Sequence, residues 1–220
     1  MSLEIEAKFL DVNINKLRKL LKDNKAKRVH KMVMYKRYVF HLLSKEEKGY
    51  IRTRQEYNKV TITIKKYPEN SKFATEDEIE VNSSFEDTKK FLLAQGFKIK
   101  AYQETLREKW SLGECLEIAI DTIPGIPTYV ELECKNEAAI KKVAKILELD
   151  YSKAEYGAYD KQFVDYYGVD KNNINDVISS LTFSNIDKEL QPHIKKNKEL
   201  LLKVKSNQLK LIKTNKIKTL

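Results

Sequence analysis

The sequence predicts an antiparallel α+β fold in which strands dominate and helices are inserted between sets of them. Three observations carry that expectation. Stretches with a period of two recur through the first 168 residues, the period at which successive side chains point to opposite faces of a strand. Three segments in the same region carry a helical period instead. The strands come in runs joined by short turns, without the strict strand–helix alternation that builds a parallel sheet.

The chain opens on LEIEAKFL, Leu3 to Leu10, where Glu4, Glu6 and Lys8 point one way and Ile5, Ala7 and Phe9 the other. Residues 13–28 place Ile14, Leu17, Leu20 and Leu21 on one helical face, with Asn13 able to cap it. Extended segments follow in VMYKRYVFHLL, GYIRTRQEY, KVTITIKKY and TEDEIEV. Residues 83–95 form a second amphipathic helix, capped by Ser84 and stopped at Gly96. Strands resume in FKIKAYQ, TLREKWSL, CLEIAIDTI and TYVELEC. The junction TIPGIPT reads as a turn, because its prolines remove ladder donors and Gly125 tolerates unusual angles. A third helix, about 136–148, carries Ile140, Val143, Ala144 and Leu147 on one side. After Gly168 the composition shifts. A short helix is expected in NINDVISSLTFSNIDKELQP, and a lysine-dense amphipathic one in HIKKNKELLLKVKSNQLKLIKTNKIKTL. The chain therefore divides into a main domain, 1–168, and a basic, helical or partly disordered C-terminal extension, 169–220.

At 220 residues there is room for one sizeable domain, or for a domain with an appendage. No apolar run is long enough to cross a bilayer, and MSLEIEAKF lacks the basic and apolar regions of a secretory leader, so a cytoplasmic protein with no membrane partner is expected. Cys115 and Cys134 provide neither a disulfide framework nor a zinc cluster. A reduced compartment is the simpler reading, with Cys134 packing on the apolar parity of its segment. The formal charge of +10 suggests an anionic partner. Much of the excess is local, since from residue 170 onward eleven lysines face five carboxylates.

The charges of seven strands keep one parity. Beyond the opening strand, Arg52, Arg54 and Glu56 oppose Ile51 and Thr53, and Thr61, Thr63 and Lys65 oppose Ile62 and Ile64. Glu76, Glu78 and Glu80 oppose Ile79 and Val81, and Arg107 and Lys109 oppose Leu106 and Trp110. Glu117 and Asp121 oppose Leu116, Ile118 and Ile120, and Glu131 and Glu133 oppose Val130 and Leu132. Two architectures satisfy this pattern. One is an open sheet with a wet face and helices on its dry face. The other is a barrel turned inside out, its charges enclosed and its apolar groups covered by helices. Isolated charges could not be enclosed, whereas opposed charges holding a polyanion and cations could. Arginine forks and lysine point charges suit phosphate oxygens, and carboxylates spaced i, i+2 make the oxygen-rich arrangement Mg²⁺ or Mn²⁺ prefers.

These residues resemble the CYTH family, also called triphosphate tunnel metalloenzymes, whose hallmark is a Glu-x-Glu-x-Lys N-terminal strand, here EIEAK. The likeness continues through IRTRQE, TITIKK, EDEIEV, LREKW and IDTIPGIPTYVELE, over about residues 1–168. It implies an eight-stranded antiparallel β-barrel tunnel with a charged interior and helices packed outside. By the same resemblance, Glu4 and Glu6 are metal ligands, and Lys8, Arg52, Arg54, Lys65 and Arg107 bind a triphosphate. Glu131 and Glu133 are ligands of a second metal that orients the attacking water, and Glu78, Glu80 and Asp121 are supporting groups. Two positions depart from the pattern. Thr105 stands where members often carry a lysine, with Lys98 or Lys100 as substitutes, and Met34 and Lys36 stand near an expected aspartate.

The family implies one of two reactions, triphosphate hydrolysis or, as in class IV adenylate cyclases, closure of ATP to cyclic AMP. Hydrolysis is the lead, on inorganic triphosphate, a nucleoside triphosphate or an RNA 5′-triphosphate. The sequence shows no base-reading constellation, and Tyr38, Phe40, Tyr102 and Trp110 read mostly as core. A binding module for polyphosphate or an RNA end is the reading from another class. The lysine-rich extension would help hold an RNA backbone. Residues 150–190 could instead guard a tunnel mouth, with Tyr156, Tyr159, Tyr166 and Tyr167 as packing groups. His30, His41 and His193 share no ligand spacing and read as incidental. A monomer and a homodimer both remain open.

Overall fold

The computed structural model describes residues 2–44, 46–172, 174 and 177–217. The N-terminal strand closes the fold. It runs in two pieces, β1 (Ser2–Leu3) and β2 (Glu6–Phe9). β1 pairs antiparallel with β6 (Thr75–Val81), while β2 pairs antiparallel with β9 (Tyr129–Cys134). The Glu4 amide donates to Ala74 O at 2.9 Å and the Cys134 amide to Ile5 O at 3.1 Å, so the change of partner falls between residues 4 and 5. Between those edges run β5 (Val60–Lys66), β4 (Gly49–Gln55), β3 (Lys27–Phe40), β7 (Ile99–Leu112) and β8 (Cys115–Thr122), each antiparallel to its neighbours. With the N-terminal strand counted once, eight antiparallel strands curl about a common interior. Both edges of the curl are met by one strand, which disposes of the flat, open alternative.

The outer face is apolar because the outward parity is aliphatic. Helix α1 (Ile14–Asp23) lays Leu17 and Leu21, and α3 (Glu137–Ile146) lays Ile140, Val143 and Ala144, against outward-facing Phe9, Leu106, Ile118, Ile120, Val130 and Leu132. Helix α2 (Phe85–Ala94) brings Leu92 onto Phe40 and Ile51. Each such aliphatic side chain withdrawn from water contributes roughly 1.5–3 kcal/mol. The first two helices are capped as expected, Asn13 accepting from Lys16 N at 3.1 Å and Ser84 from Asp87 N at 3.1 Å, and the third is capped by Asn136, which accepts from Ala139 N at 2.8 Å. Two boundaries differ from expectation. α1 stops at Asp23 because Lys25 turns to φ 57° and residues from Lys27 onward join β3. FKIKAYQ and TLREKWSL are one continuous strand, β7.

β8 pairs with β7 only from Leu106 onward, so the first half of β7 has an edge to spare. The C-terminal part of the chain uses it. β10 (Ser180–Leu181) pairs in parallel with Tyr102 and Gln103. Helix α4 (Asp160–Tyr167), α5 (Ile186–Leu190) and α6 (Lys198–Thr214) pack Phe163, Tyr167, Ile186, Leu190 and Leu201 around Ile123 and Ile126 of the β8–β9 connection and Tyr129 at the start of β9. Buried Gln208 of α6 donates to Ile123 O and Ile126 O, both at 2.8 Å, and accepts from Gly125 N at 3.0 Å. Gly125 is required there: its φ is +79°, and a Cβ would come within 2.8 Å of Ile186 Cγ1.

The cysteines correct the sequence reading. Cys115 and Cys134 face each other directly across β8 and β9, with Cα atoms 3.9 Å apart, and form a buried disulfide. Strand register makes this pair, and register is a long-range property invisible in a nineteen-residue spacing.

Candidate active site

The inward parity converges on one cavity of about 1140 Å³. Register sets the neighbours. Pairing of β2 with β9 puts Glu6 beside Glu133 and Lys8 beside Glu131. Pairing of β4, β5 and β6 aligns Arg52 with Thr63 and Glu78, and Lys65 with Glu76. Arg107 lies across from Asp121.

Lys8, Arg52, Arg54, Lys65 and Arg107 all line the cavity, and every one is held by carboxylates. Lys8 lies 3.2 Å from Glu131 and 3.7 Å from Glu6, and its ammonium also donates to Gly157 O. Lys65 pairs with Glu4 and lies 3.7 Å from both Glu6 and Glu76. Arg52 reaches Glu76 at 3.2 Å and Glu78 at 3.5 Å, while Arg54 grips Glu56 at 2.9 Å and Glu78 at 3.3 Å. Arg107 is the hub. It donates to Asp121 at 2.7 Å and Glu131 at 3.1 Å, and also to Glu117.

The carboxylates fall into two electrostatic groups. Burial pushes Glu117 up, but Arg107 and Lys109 outweigh it and hold the group down at about 2. Glu131 is likewise lowered, Lys8 and Arg107 overcoming its burial. Three others go the opposite way, and in Asp121 burial outweighs even the adjoining Arg107. Burial, with Glu6 second, pushes Glu4 up to about 8. Burial, then Glu117, Glu6 and Glu76, pushes Glu133 up to about 7. Glu133 makes no ion pair among the described residues. Glu4, Glu6, Glu76 and Glu133 are thus hard oxygen donors crowded by like charge, the donor chemistry a divalent cation relieves. Among the described residues no three acidic groups stand ready as a finished cage. Ligation therefore requires side chains now on lysine or arginine to turn toward the ion.

Glu4 and Glu133, the two raised furthest, fix a pH dependence in chelator. Folded Glu4 and Glu133 keep protons that the unfolded chain loses near 4.5, so the folded state binds more protons up to about pH 7–8. Stability therefore falls as pH rises through that window. His30, lowered by burial, works in the opposite sense below its ordinary value of 6.5. From pH 6.5 to 8.5 the expected loss is about 2 kcal/mol, or roughly 5 °C in Tm, and Mn²⁺ should restore it. A melting temperature flat across that range would contradict the crowding of these carboxylates.

Several positions differ from the expected set. Glu78 and Asp121 line the cavity, whereas Glu80, on the same parity, is exposed and lies outside it. Thr105 lines it too, and of the two substitute lysines Lys100 does and Lys98 does not. On β3 it is Tyr35 and Arg37 that face inward, while Met34 joins the outer core. Tyr35 separates the Arg54 and Arg107 guanidinium groups, 5.5 and 5.9 Å from its ring centre, and its hydroxyl bonds His30 Nε2 at 2.7 Å. Glu76 and Glu117 also belong to the lining. They share parity with Glu78 and Asp121, and that signal could have found them.

A closed antiparallel curl with paired charges of both signs inside defines a tunnel-type fold with an ionic interior. The CYTH domain profile matches residues 2–161, and the chain belongs to that family. The fold is shared with solved structures. A Vibrio parahaemolyticus protein described as a candidate adenylate cyclase has a TM-score of 0.59 at 15% identity, covering 74% of this chain and 98% of its own. A conserved hypothetical protein of Pyrococcus furiosus gives 0.58 at 24%, covering 71% and 97%. The PH1012 protein of Pyrococcus horikoshii gives 0.57 at 22%, covering 71% and 96%. Among curated proteins none matches. No helix of the described residues is long and apolar enough to cross a membrane.

Proposed function

We propose that this chain is a divalent-metal-dependent triphosphatase. The observation that carries the reading is the convergence of five phosphate-grade cations and a crowded carboxylate group on one enclosed cavity. Lys8, Arg52, Arg54, Lys65 and Arg107 bind the triphosphate oxygens, the arginines as forks and the lysines as point charges. Glu4, Glu6, Glu131 and Glu133 would hold Mg²⁺ or Mn²⁺, which would supply Lewis acidity to the phosphoryl oxygens. The resting cavity neutralises its own cations, so an entering polyanion takes over the arginines and displaces Glu76, Glu78 and Asp121. Taking over Lys8, Lys65 and Arg107 as well frees Glu4, Glu6 and Glu131, the carboxylates that would hold the ion. Rigid placement of the guanidinium groups stabilises the charge that spreads over the phosphoryl oxygens in the transition state.

The test is product identity. Purified protein with Mg²⁺ or Mn²⁺ is given tripolyphosphate, ATP and triphosphorylated RNA. Orthophosphate release is expected. Cyclic AMP from ATP replaces this reading with a cyclase, and tight binding without product replaces it with a binding module.

A further inference from the structure

Tyr35 touches two of the cavity's cations without neutralising either. Its strand, β3, runs between β4 and β7, and the guanidinium groups of Arg54 and Arg107 stand 5.5 and 5.9 Å from its ring centre. Carboxylates hold the same arginines, Glu56 and Glu78 on Arg54, and Asp121, Glu117 and Glu131 on Arg107. An entering polyanion competes with those carboxylates. It does not compete with the face of a neutral ring, because a cation–π contact leaves the N–H edge of a guanidinium free.

Behind Tyr35 stands His30. Strict alternation from Tyr35 and Arg37 would send it outward with Met32 and Met34. Instead β3 breaks register on both sides of it, between Arg28 and His30 and between His30 and Val33, and His30 pairs with Lys109 on the inward parity of β7. Its Nδ1 lies 2.8 Å from Lys31 O, and its Nε2 lies 2.7 Å from the Tyr35 hydroxyl. A carbonyl only accepts, so Nδ1 carries the proton of the neutral ring and Nε2 accepts from Tyr35. Tyr57 of the β4–β5 turn stacks on the imidazole at 5.4 Å and is 59% exposed. The charged groups facing His30 are Lys109 and Arg107 of β7 and Glu117 of β8, while Glu56 and Arg54 face Tyr35. Resting on the triphosphate reading above, we propose that His30 is a positioning residue. By fixing the Tyr35 hydroxyl it locks the ring against which Arg54 and Arg107 stay aligned while a triphosphate draws them off their carboxylates.

The experiment measures kcat and KM for tripolyphosphate with Mn²⁺ in the full chain and in Tyr35→Phe, His30→Leu and His30→Gln. Phenylalanine keeps the ring and loses the bond. Glutamine offers an acceptor oxygen in place of Nε2 and does not titrate. At pH 8 Tyr35→Phe and His30→Leu should lose about tenfold or more in kcat, since misplacing a contacting group by about 1 Å can cost roughly 100-fold. KM should stay within about twofold, as for a contact that matters in the transition state. His30→Gln should recover most of the loss. Protonation of His30 reverses its bond to Tyr35, turns the phenol proton toward the arginines and adds positive charge beside Lys109 and Arg107. The ratio of wild-type to His30→Gln kcat should therefore fall as pH drops below 6.5, with carboxylate titration common to both cancelling. Where a buried replacement does not fold, Tyr57→Ala reads the same support from an exposed position, as a severalfold loss in kcat. Equal losses in His30→Leu and His30→Gln, a ratio flat with pH, or unchanged kcat in Tyr35→Phe and Tyr57→Ala would each overturn the positioning role. If nothing is hydrolysed, the hydrolytic reading falls and Kd for tripolyphosphate, by calorimetry, replaces kcat. Binding weakened in His30→Leu and restored in His30→Gln then upholds the role, and equal affinity in all variants overturns it.

Discussion

Glu6→Gln and Glu133→Gln are each expected to cut phosphate release by more than about 100-fold while leaving a folded protein. Outer-sphere partners of a metal alone are worth about 10–100-fold in affinity or activity, and these two are proposed as direct ligands. Glutamine keeps the volume and one oxygen but loses the charge that a hard cation needs. Structure and activity should part company here. Glu133 sits beside Glu117, Glu6 and Glu76 and is pushed up to about 7, so its ionised form opposes folding. Removing that charge should leave Tm in chelator unchanged or higher at pH 8.5, and should flatten part of the pH dependence described above. Phosphate release and melting measured on the same preparations decide the matter. Undiminished turnover in both variants would discard the metal site.

The parity of the charges was legible because it is local: in Arg52/Arg54 or Glu131/Glu133 the period of two needs no partner strand to be seen. Closure was not legible in the same way, since an open sheet with a wet face satisfies the parity equally well and the tunnel came from the family resemblance. What stayed hidden depends on register. Lys36 and Arg37 are adjacent on β3, and either could have faced inward. Irregular pairing between β3 and β7 at Arg28/His30, His30/Val33 and Val39/Phe40 erases a simple alternation. Only the pairing of Arg37 with Arg54 and Gln103 settles it. The disulfide hid behind the same kind of fact. Glu80 failed for the opposite reason, because parity says which face a side chain takes but not how far along the strand the cavity extends. In the basic C-terminal part an amphipathic helix was legible, but its lysine density hid whether that helix packs, and α6 buries Leu201, Val204, Gln208 and Ile212.

Arg107→Met is expected to be the most destabilising single change inside the cavity. Arg107 donates to Asp121 at 2.7 Å and to Glu131 at 3.1 Å, and also pairs with Glu117, so one cation holds carboxylates from both β8 and β9. Asp121 is 2% exposed. Breaking a buried pair from one side costs about 3–5 kcal/mol because the charge left behind is uncompensated, which corresponds to roughly 10 °C in Tm for a chain of this size. The sign of its pH dependence is fixed. Without the guanidinium Glu117 and Glu131 lose a charge that holds them down, and Asp121, already raised by burial, goes higher still, so the penalty grows as pH rises above about 4.5. Thermal melts of the wild type and Arg107→Met in chelator at pH 5 and pH 8 should show the larger gap at pH 8. Adding Asp121→Asn should recover part of it by removing one orphaned charge. A gap below about 1 kcal/mol, equal at both pH values, would mean that solvent already screens these carboxylates, and the cavity would then lack the low-dielectric setting on which strong phosphate binding by Arg107 depends.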